Sequence, residues 1–253
     1  MTNDPLYQST QEAWAEIWDG ASIEQELETL SYPRAREYFG KFIPHLPRDG
    51  VIVEAGCGMG VVVMHLRAQG FDVIGLDYVE TVLRRARAHD PALSLQAGDV
   101  HALPYASGSL SGYLSFGVLE HFPHGPLPAL REANRVLRPG GVLVLTIPYP
   151  NVVQRLIKLR RRMRGQAEHS HDDFYETTYT HRELQRCVRE AGFEVVLLSP
   201  TSHSFTLWGL GGPFRASGYY RTSALAERMG AVLRVLTPWA LCFTTLIVAR
   251  KHI

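Results

Sequence analysis

The chain has 253 residues, 45% of them hydrophobic, with 26 Lys and Arg against 25 Asp and Glu for a formal net charge of +1. A chain of that size buries a sizeable core. Its near-neutral balance excludes the strongly basic face with which ordinary nucleic-acid binders neutralise phosphates, so small ligands come first. Three widely spaced cysteines, Cys57, Cys187 and Cys242, make neither a disulfide framework nor a CxxC site, and a reducing cytoplasm is expected.

In chain order, the opening MTNDPLYQST lacks the basic and apolar regions of a signal peptide. Residues 1–49 read as a helical extension. In it Trp14 and Trp18, at i,i+4 spacing, and Tyr7 either staple the helices to the core or fold over a bound ligand. From Gly50 onward short β-branched runs alternate with helical patterns, the mark of an α/β fold with a doubly wound sheet covered on both faces. VIVEA (51–55) is the first strand, and the helix after its glycines ends near Gly70. FDVIGLD, LSLQAGD and LSGYLSF supply strands two to four, with ETVLRRARAH a helix between the first two of these. A helix at 126–137, a turn at RPGG and the apolar strand VLVLTIP follow. Residues 151–165 have helical spacing, with Val152, Val153, Leu156, Leu159 and Met163 inward and Arg155, Lys158, Arg161 and Arg162 outward. Such a face is either simply solvated or contacts anionic lipid or an acidic substrate. Thr180 and Glu183 form a capping-box pattern for a helix that stops at Gly192. FEVVLLS and CFTTLIVAR are the last two strands, and the longest apolar run, 240–249, is too short to span a bilayer. Residues 50–253 are read as one domain with insertions at about 151–180 and 201–230.

The stretch VIVEAGCGMG decides the ligand class. Glycines between a strand and a helix let a ligand approach the backbone beside unpaired N–H groups. The dinucleotide pattern GxGxxG fails because Val61 stands where its third glycine belongs. Glu54, ahead of the turn, suits a cationic ligand rather than a pyrophosphate. A nucleotide-like body with a positive group fits both features. EAGCGMG, GLDYV, GDVHALPY, SFGVLEHF and LRPGGVLVLTIP, in that order and at these intervals, resemble the five motifs of class I S-adenosylmethionine-dependent methyltransferases of the small-molecule, type 11-like subgroup.

The resemblance implies a Rossmann-like, seven-stranded sheet, mostly parallel with an antiparallel last strand. It also implies S-adenosyl-L-methionine as cofactor and S-adenosyl-L-homocysteine as product. Gly56, Cys57, Gly58 and Gly60 would pass along the methionine moiety and ribose, and Glu54 would hold the amino-acid end. Asp77 would grip the ribose hydroxyls with Tyr78 beside the adenine, and Asp99 and Val100 would bond the adenine. Phe116 and Gly117 would line the methyl-donor pocket. The subgroup often has Asp where Ser111 stands, which weakens a local structural bond and leaves the cofactor assignment intact.

For the acceptor, His121 just past strand four is the first candidate for a general base or an orienting contact, and Glu120 is read as a solvated or loop-bonding residue. Tyr149, Trp208 and the loop carrying His169, His171, Asp172, Asp173, Tyr175 and Tyr179 are candidate substrate contacts. The His-x-His spacing there matches no closed zinc site, so no metal is expected. The reading is O-methylation of a natural-product, quinone or sugar-like small molecule. The alternatives are N-methylation of a small amine and a non-catalytic cofactor-binding protein of the same fold. A nicotinamide oxidoreductase is disfavoured by Val61, by Glu54 and by the absence of a Tyr-x-x-x-Lys pair.

Overall fold

The computed structural model describes residues 5–163, 176–217 and 221–253. Its strands are β1 (Ile52–Ala55), β2 (Val73–Asp77), β3 (Leu95–Ala97), β4 (Leu110–Phe116), β5 (Leu137–Pro148), β6 (Phe193–Thr201) and β7 (Thr244–Lys251). They form one sheet in the order β3-β2-β1-β4-β5-β7-β6. Neighbours from β3 to β5 are parallel, whereas β7 lies antiparallel to both β5 and β6, as the motif order implies.

The alternation of strand side chains divides the core into two layers. Val53, Ala55, Leu143, Leu145 and Ile147 face one layer, and Ile52, Val142, Val144, Leu246 and Val248 face the other. With both faces covered, β4 is buried at six of its seven positions and β5 is buried from Val142 to Pro148.

Ten helices surround the sheet among the described residues: α1 (Pro5–Gly20), α2 (Ile23–Thr29), α3 (Pro33–Phe42), α4 (Val61–Arg67), α5 (Glu80–His89), α6 (Leu127–Val136), α7 (Val152–Met163), α8 (His181–Glu190), α9 (His203–Trp208) and α10 (Ala224–Leu236). The capping box forms at the start of α8. The Glu183 N–H donates to Thr180 Oγ1 at 3.3 Å, and the Thr180 N–H donates to Glu183 Oε2 at 2.9 Å. Arg85 on α5 donates to the carbonyls of Trp18 and Ala21, so the orphan carbonyls at the end of α1 are satisfied by a cation that also suits the helix dipole.

Three expectations change. RPGG is not a free turn, because β5 already begins at Leu137 and pairs there with Leu110. The extra residues are absorbed as an irregularity before Gly112 meets Val142, with Gly140 at φ 72°. The third strand shrinks to three residues. In α7 the apolar stripe faces outward, since Val152, Leu156, Leu159 and Met163 are all exposed and Val153 is half-buried. Ser111, at the departure from the subgroup's pattern, donates its hydroxyl to the Val51 carbonyl at 2.9 Å and so supplies a local bond of its own.

Candidate active site

The site sits at the carboxyl ends of β1, β2 and β4, where an open parallel sheet leaves a crevice. The turn after β1 carries Gly56 and Gly58 in the left-handed region, at φ 82° and 50°. Space demands glycine as well. A Cβ on Gly56 would lie 2.3 Å from Val118 Cγ2, and one on Gly58 would lie 2.4 Å from Trp18 Cζ2. The glycine loop is therefore sandwiched between the segment after β4 and the indole of an N-terminal helix. Gly60, also left-handed, precedes the first turn of α4.

Two buried carboxylates end the neighbouring strands. Asp77 Oδ2 accepts the Gly58 N–H at 2.8 Å and Oδ1 accepts the Val79 N–H at 2.9 Å, so the second strand's carboxylate shapes the first strand's glycine turn. Burial still pushes the Asp77 carboxyl above its ordinary value, against those N–H groups. Glu54 is 4% exposed, and its Oε2 has no hydrogen-bond partner. Burial, reinforced by Asp77, holds its carboxyl well above the usual range, opposed by the backbone of Val63 in the first turn of α4. Tyr38 stacks edge-on to Phe116 at 5.0 Å, and burial together with the Glu54 charge pushes its phenol well up.

These groups border a cavity of about 380 Å³. Its floor includes Glu54, Gly56, Cys57, Gly58, Asp77 and Tyr78, and Phe116 and Gly117 form one wall. Trp14 and Trp18 form the roof, their rings stacked at 5.9 Å, with Trp14 meeting His121 edge-on at 5.2 Å. The lining also includes Glu120, His121, Pro148, Glu176, Phe205 and Phe243. Five carboxylates line the cavity, from Glu26, Glu54, Asp77, Glu120 and Glu176, and no Lys or Arg does among the described residues.

The sequence candidates divide accordingly. Glu54, Gly56, Cys57, Gly58, Asp77, Tyr78, Phe116 and His121 converge on the cavity. Cys57 is buried, its thiol pushed up by burial, as a wall-filling residue should be. Asp99 and Val100 do not join them. Asp99 Oδ1 accepts the His101 N–H at 2.9 Å and lies 3.0 Å from the same residue's Nδ1, while Val100 is buried in the apolar core. Gly60 also stays out of the lining. Tyr149 packs on His181 and Trp239, Tyr179 lies against the core with its N–H on the Pro148 carbonyl, and Trp208 is stacked by Arg215. None of these three borders the cavity. His169, His171, Asp172, Asp173 and Tyr175 lie outside the described residues, and no metal-holding cluster of His, Cys, Asp or Glu occurs among the described ones.

Glu120 is the main reversal. Expected as a solvated or loop-bonding residue, it is not solvated: it is 2% exposed with Oε2 unpartnered, and its Oε1 lies 3.9 Å from His121 Nε2. Burial raises its carboxyl well above the ordinary value, and Glu176 adds to this. Glu26, Trp14 and Trp18 come from outside the sheet, and only the aromatic pair had a sequence signal, the i,i+4 spacing.

The residues fit the group the motifs imply. A cationic amino-acid end would meet the orphaned Glu54 oxygen, ribose hydroxyls would meet Asp77, and the glycine backbone leaves the approach open.

Residues 53–145 match the family model described as a methyltransferase domain. A Streptomyces fradiae protein described as an uncharacterised 37.1 kDa protein in a transposon is 32% identical over 168 residues, 60% of this chain and 46% of that protein. The malonyl-[acyl-carrier protein] O-methyltransferase of Erwinia pyrifoliae is 37% identical over 95 residues, 38% of this chain and 36% of its own. The chain thus spans less than half the length of these curated relatives. Among solved structures, an S-adenosylmethionine-dependent methyltransferase of Methanosarcina mazei superposes with TM-score 0.62 at 16% identity, covering 84% of this chain and 97% of that one. Over residues 53–145 the chain therefore matches a methyltransferase domain, and the proteins it resembles in sequence and fold include S-adenosylmethionine-dependent methyltransferases, a family whose cofactor is S-adenosyl-L-methionine and whose product is S-adenosyl-L-homocysteine.

Proposed function

We propose that the protein transfers a methyl group from S-adenosyl-L-methionine to a small molecule held at the Glu120–His121 end of the cavity. The observation that carries this reading is the pair of buried carboxylates, Glu54 and Asp77, meeting a glycine turn under a tryptophan roof. In it Glu54 holds the ammonium end of the cofactor and Asp77 the ribose, while Trp14 and Trp18 exclude water from the reacting end. When bound, the cofactor supplies an electrophilic methyl on a sulfonium. The chain's own contribution is then alignment of the acceptor, for which effective molarities are worth up to about 7–11 kcal/mol. In this reading His121, with Glu120 Oε1 3.9 Å from its Nε2, takes the proton that the acceptor gives up.

An oxygen acceptor is the sequence expectation, and the name of the Erwinia relative supports it. The lining supports a nitrogen acceptor better. Beyond the two carboxylates assigned to the cofactor, the buried Glu120 also lines the cavity with one oxygen unpartnered, and no Lys or Arg lines it among the described residues. A carboxylate or phosphate acceptor would be repelled, and an amine would be attracted.

The test is calorimetric titration of the protein saturated with S-adenosyl-L-homocysteine, using phenylalkyl amines, alcohols and carboxylates of matched skeleton. The amine should bind at least about tenfold more tightly than the alcohol, with Glu120→Gln erasing the preference. Preference for the alcohol would return the reading to oxygen. Failure of S-adenosyl-L-homocysteine itself to bind would refute the cofactor half.

A further inference from the structure

Two helices carry most of the exposed large apolar side chains among the described residues. Nine of the twelve exposed large apolar side chains among the described residues lie on α7 and α10. On α7 they are Val152, Leu156, Leu159 and Met163, at i, i+4, i+7 and i+11. On α10 Leu225, Met229, Val232 and Leu236 repeat that spacing, with Val235 beside them. Val235 and Leu236 are 73% and 71% exposed, values that a stripe packed on its own domain would not show.

The start of α7 is tied to the segment that follows α10. The Val152 N–H, where the α7 stripe begins, donates to the Ala240 carbonyl at 3.1 Å, four residues after the α10 stripe ends at Leu236. Asn151, buried beside this junction, ties it to the Cys242 carbonyl through its side-chain amide at 3.0 Å. Pro148, Phe243 and Thr244, which flank the junction in sequence, line the cavity. The charges around the stripes have one sign. Arg155, Arg160, Arg162 and Arg228 are the exposed charged side chains described on these helices, and their one acid, Glu227, is buried against Arg34.

We propose that the exposed apolar stripes of α7 and α10 dock on an anionic lipid surface. Exposed aliphatic stripes whose exposed charged neighbours on the same helices are, among the described residues, arginines match the two parts of such a surface, acyl chains below and negative headgroups around them. Among the described residues no helix is long and apolar enough to cross a membrane, so the contact is a surface one. It places the acceptor end of the cavity beside the lipid, a route by which an apolar-bodied acceptor reaches His121 without crossing water.

Co-sedimentation of the full chain with phosphatidylcholine vesicles, with and without about 30% phosphatidylglycerol, tests this without any cofactor present. The anionic vesicles should retain at least about tenfold more protein, and the difference should shrink in high salt. Leu156→Glu with Leu236→Glu, both at exposed positions, should abolish retention. Arg155→Glu with Arg160→Glu should remove the anionic preference. Absence of binding to anionic vesicles, survival of binding in the leucine double variant, or a dimer that covers this face and leaves vesicles unbound would each overturn the proposal.

Discussion

Glu54→Gln should make the ligand-free protein more stable and the cofactor site worse. In the wild type the carboxylate is buried, has one oxygen without a partner and stands near a second buried carboxylate, Asp77. An unfolded Glu titrates near 4.3, and burial raises the folded value well above this. Between the two values the folded state holds the extra proton, so the contribution of Glu54 to stability falls as pH rises through that window. The glutamine variant lacks this loss. The two proteins should therefore match below about pH 4, and the variant should lead by about 1–3 kcal/mol at pH 8, the cost of a buried unsatisfied group. Binding should move the other way. A charge-assisted bond to a ligand ammonium is worth about 1.5–3 kcal/mol, so affinity for S-adenosyl-L-homocysteine should fall by about 10- to 100-fold. Urea unfolding at pH 4 and pH 8, paired with calorimetry, reads both effects. A wild type at least as stable as the variant at pH 8, or an unchanged affinity, would show that Glu54 is not an uncompensated charge awaiting a cation.

Asp77→Asn should lower the affinity for S-adenosyl-L-homocysteine at least about tenfold in calorimetry while unfolding stays cooperative, because the amide keeps the shape and loses the strong ribose acceptor. Gly58→Ala should cost about 2–5 kcal/mol in urea unfolding, combining a left-handed backbone with overpacking against Trp18. Adding Trp18→Ala to Gly58→Ala should return the overpacking share and leave the backbone share, a non-additivity that independent sites would not show. Arg34→Leu leaves Glu227 buried without its ion-pair partner and should cost about 3–5 kcal/mol by the same measurement.

The sheet was legible because its strands are buried on both faces and separated by turn residues, so periodicity and glycine placement marked β1, β2, β4 and β7 in order. The glycine turn and Asp77 were legible for a related reason, since local backbone geometry fixes which residues can stand there. Asp99 is bonded to His101 two residues on, and a local bond of that kind leaves no trace in strand patterning. Glu120 and Glu26 escaped because their burial depends on helices from distant parts of the chain. A carboxylate in a short loop or on an N-terminal helix looks solvated until the tertiary fold closes over it. The outward face of α7 was misread by the usual rule that an apolar stripe points to the core. That rule holds only when another element is there to meet it.

The central claim, a site built for a sulfonium nucleoside rather than a dinucleotide, is tested most directly by titrating the protein in a calorimeter with S-adenosyl-L-methionine, S-adenosyl-L-homocysteine and NADH. The two adenosyl ligands should bind in the micromolar range and NADH should give no heat. Binding of NADH, or of none of the three, would contradict the account.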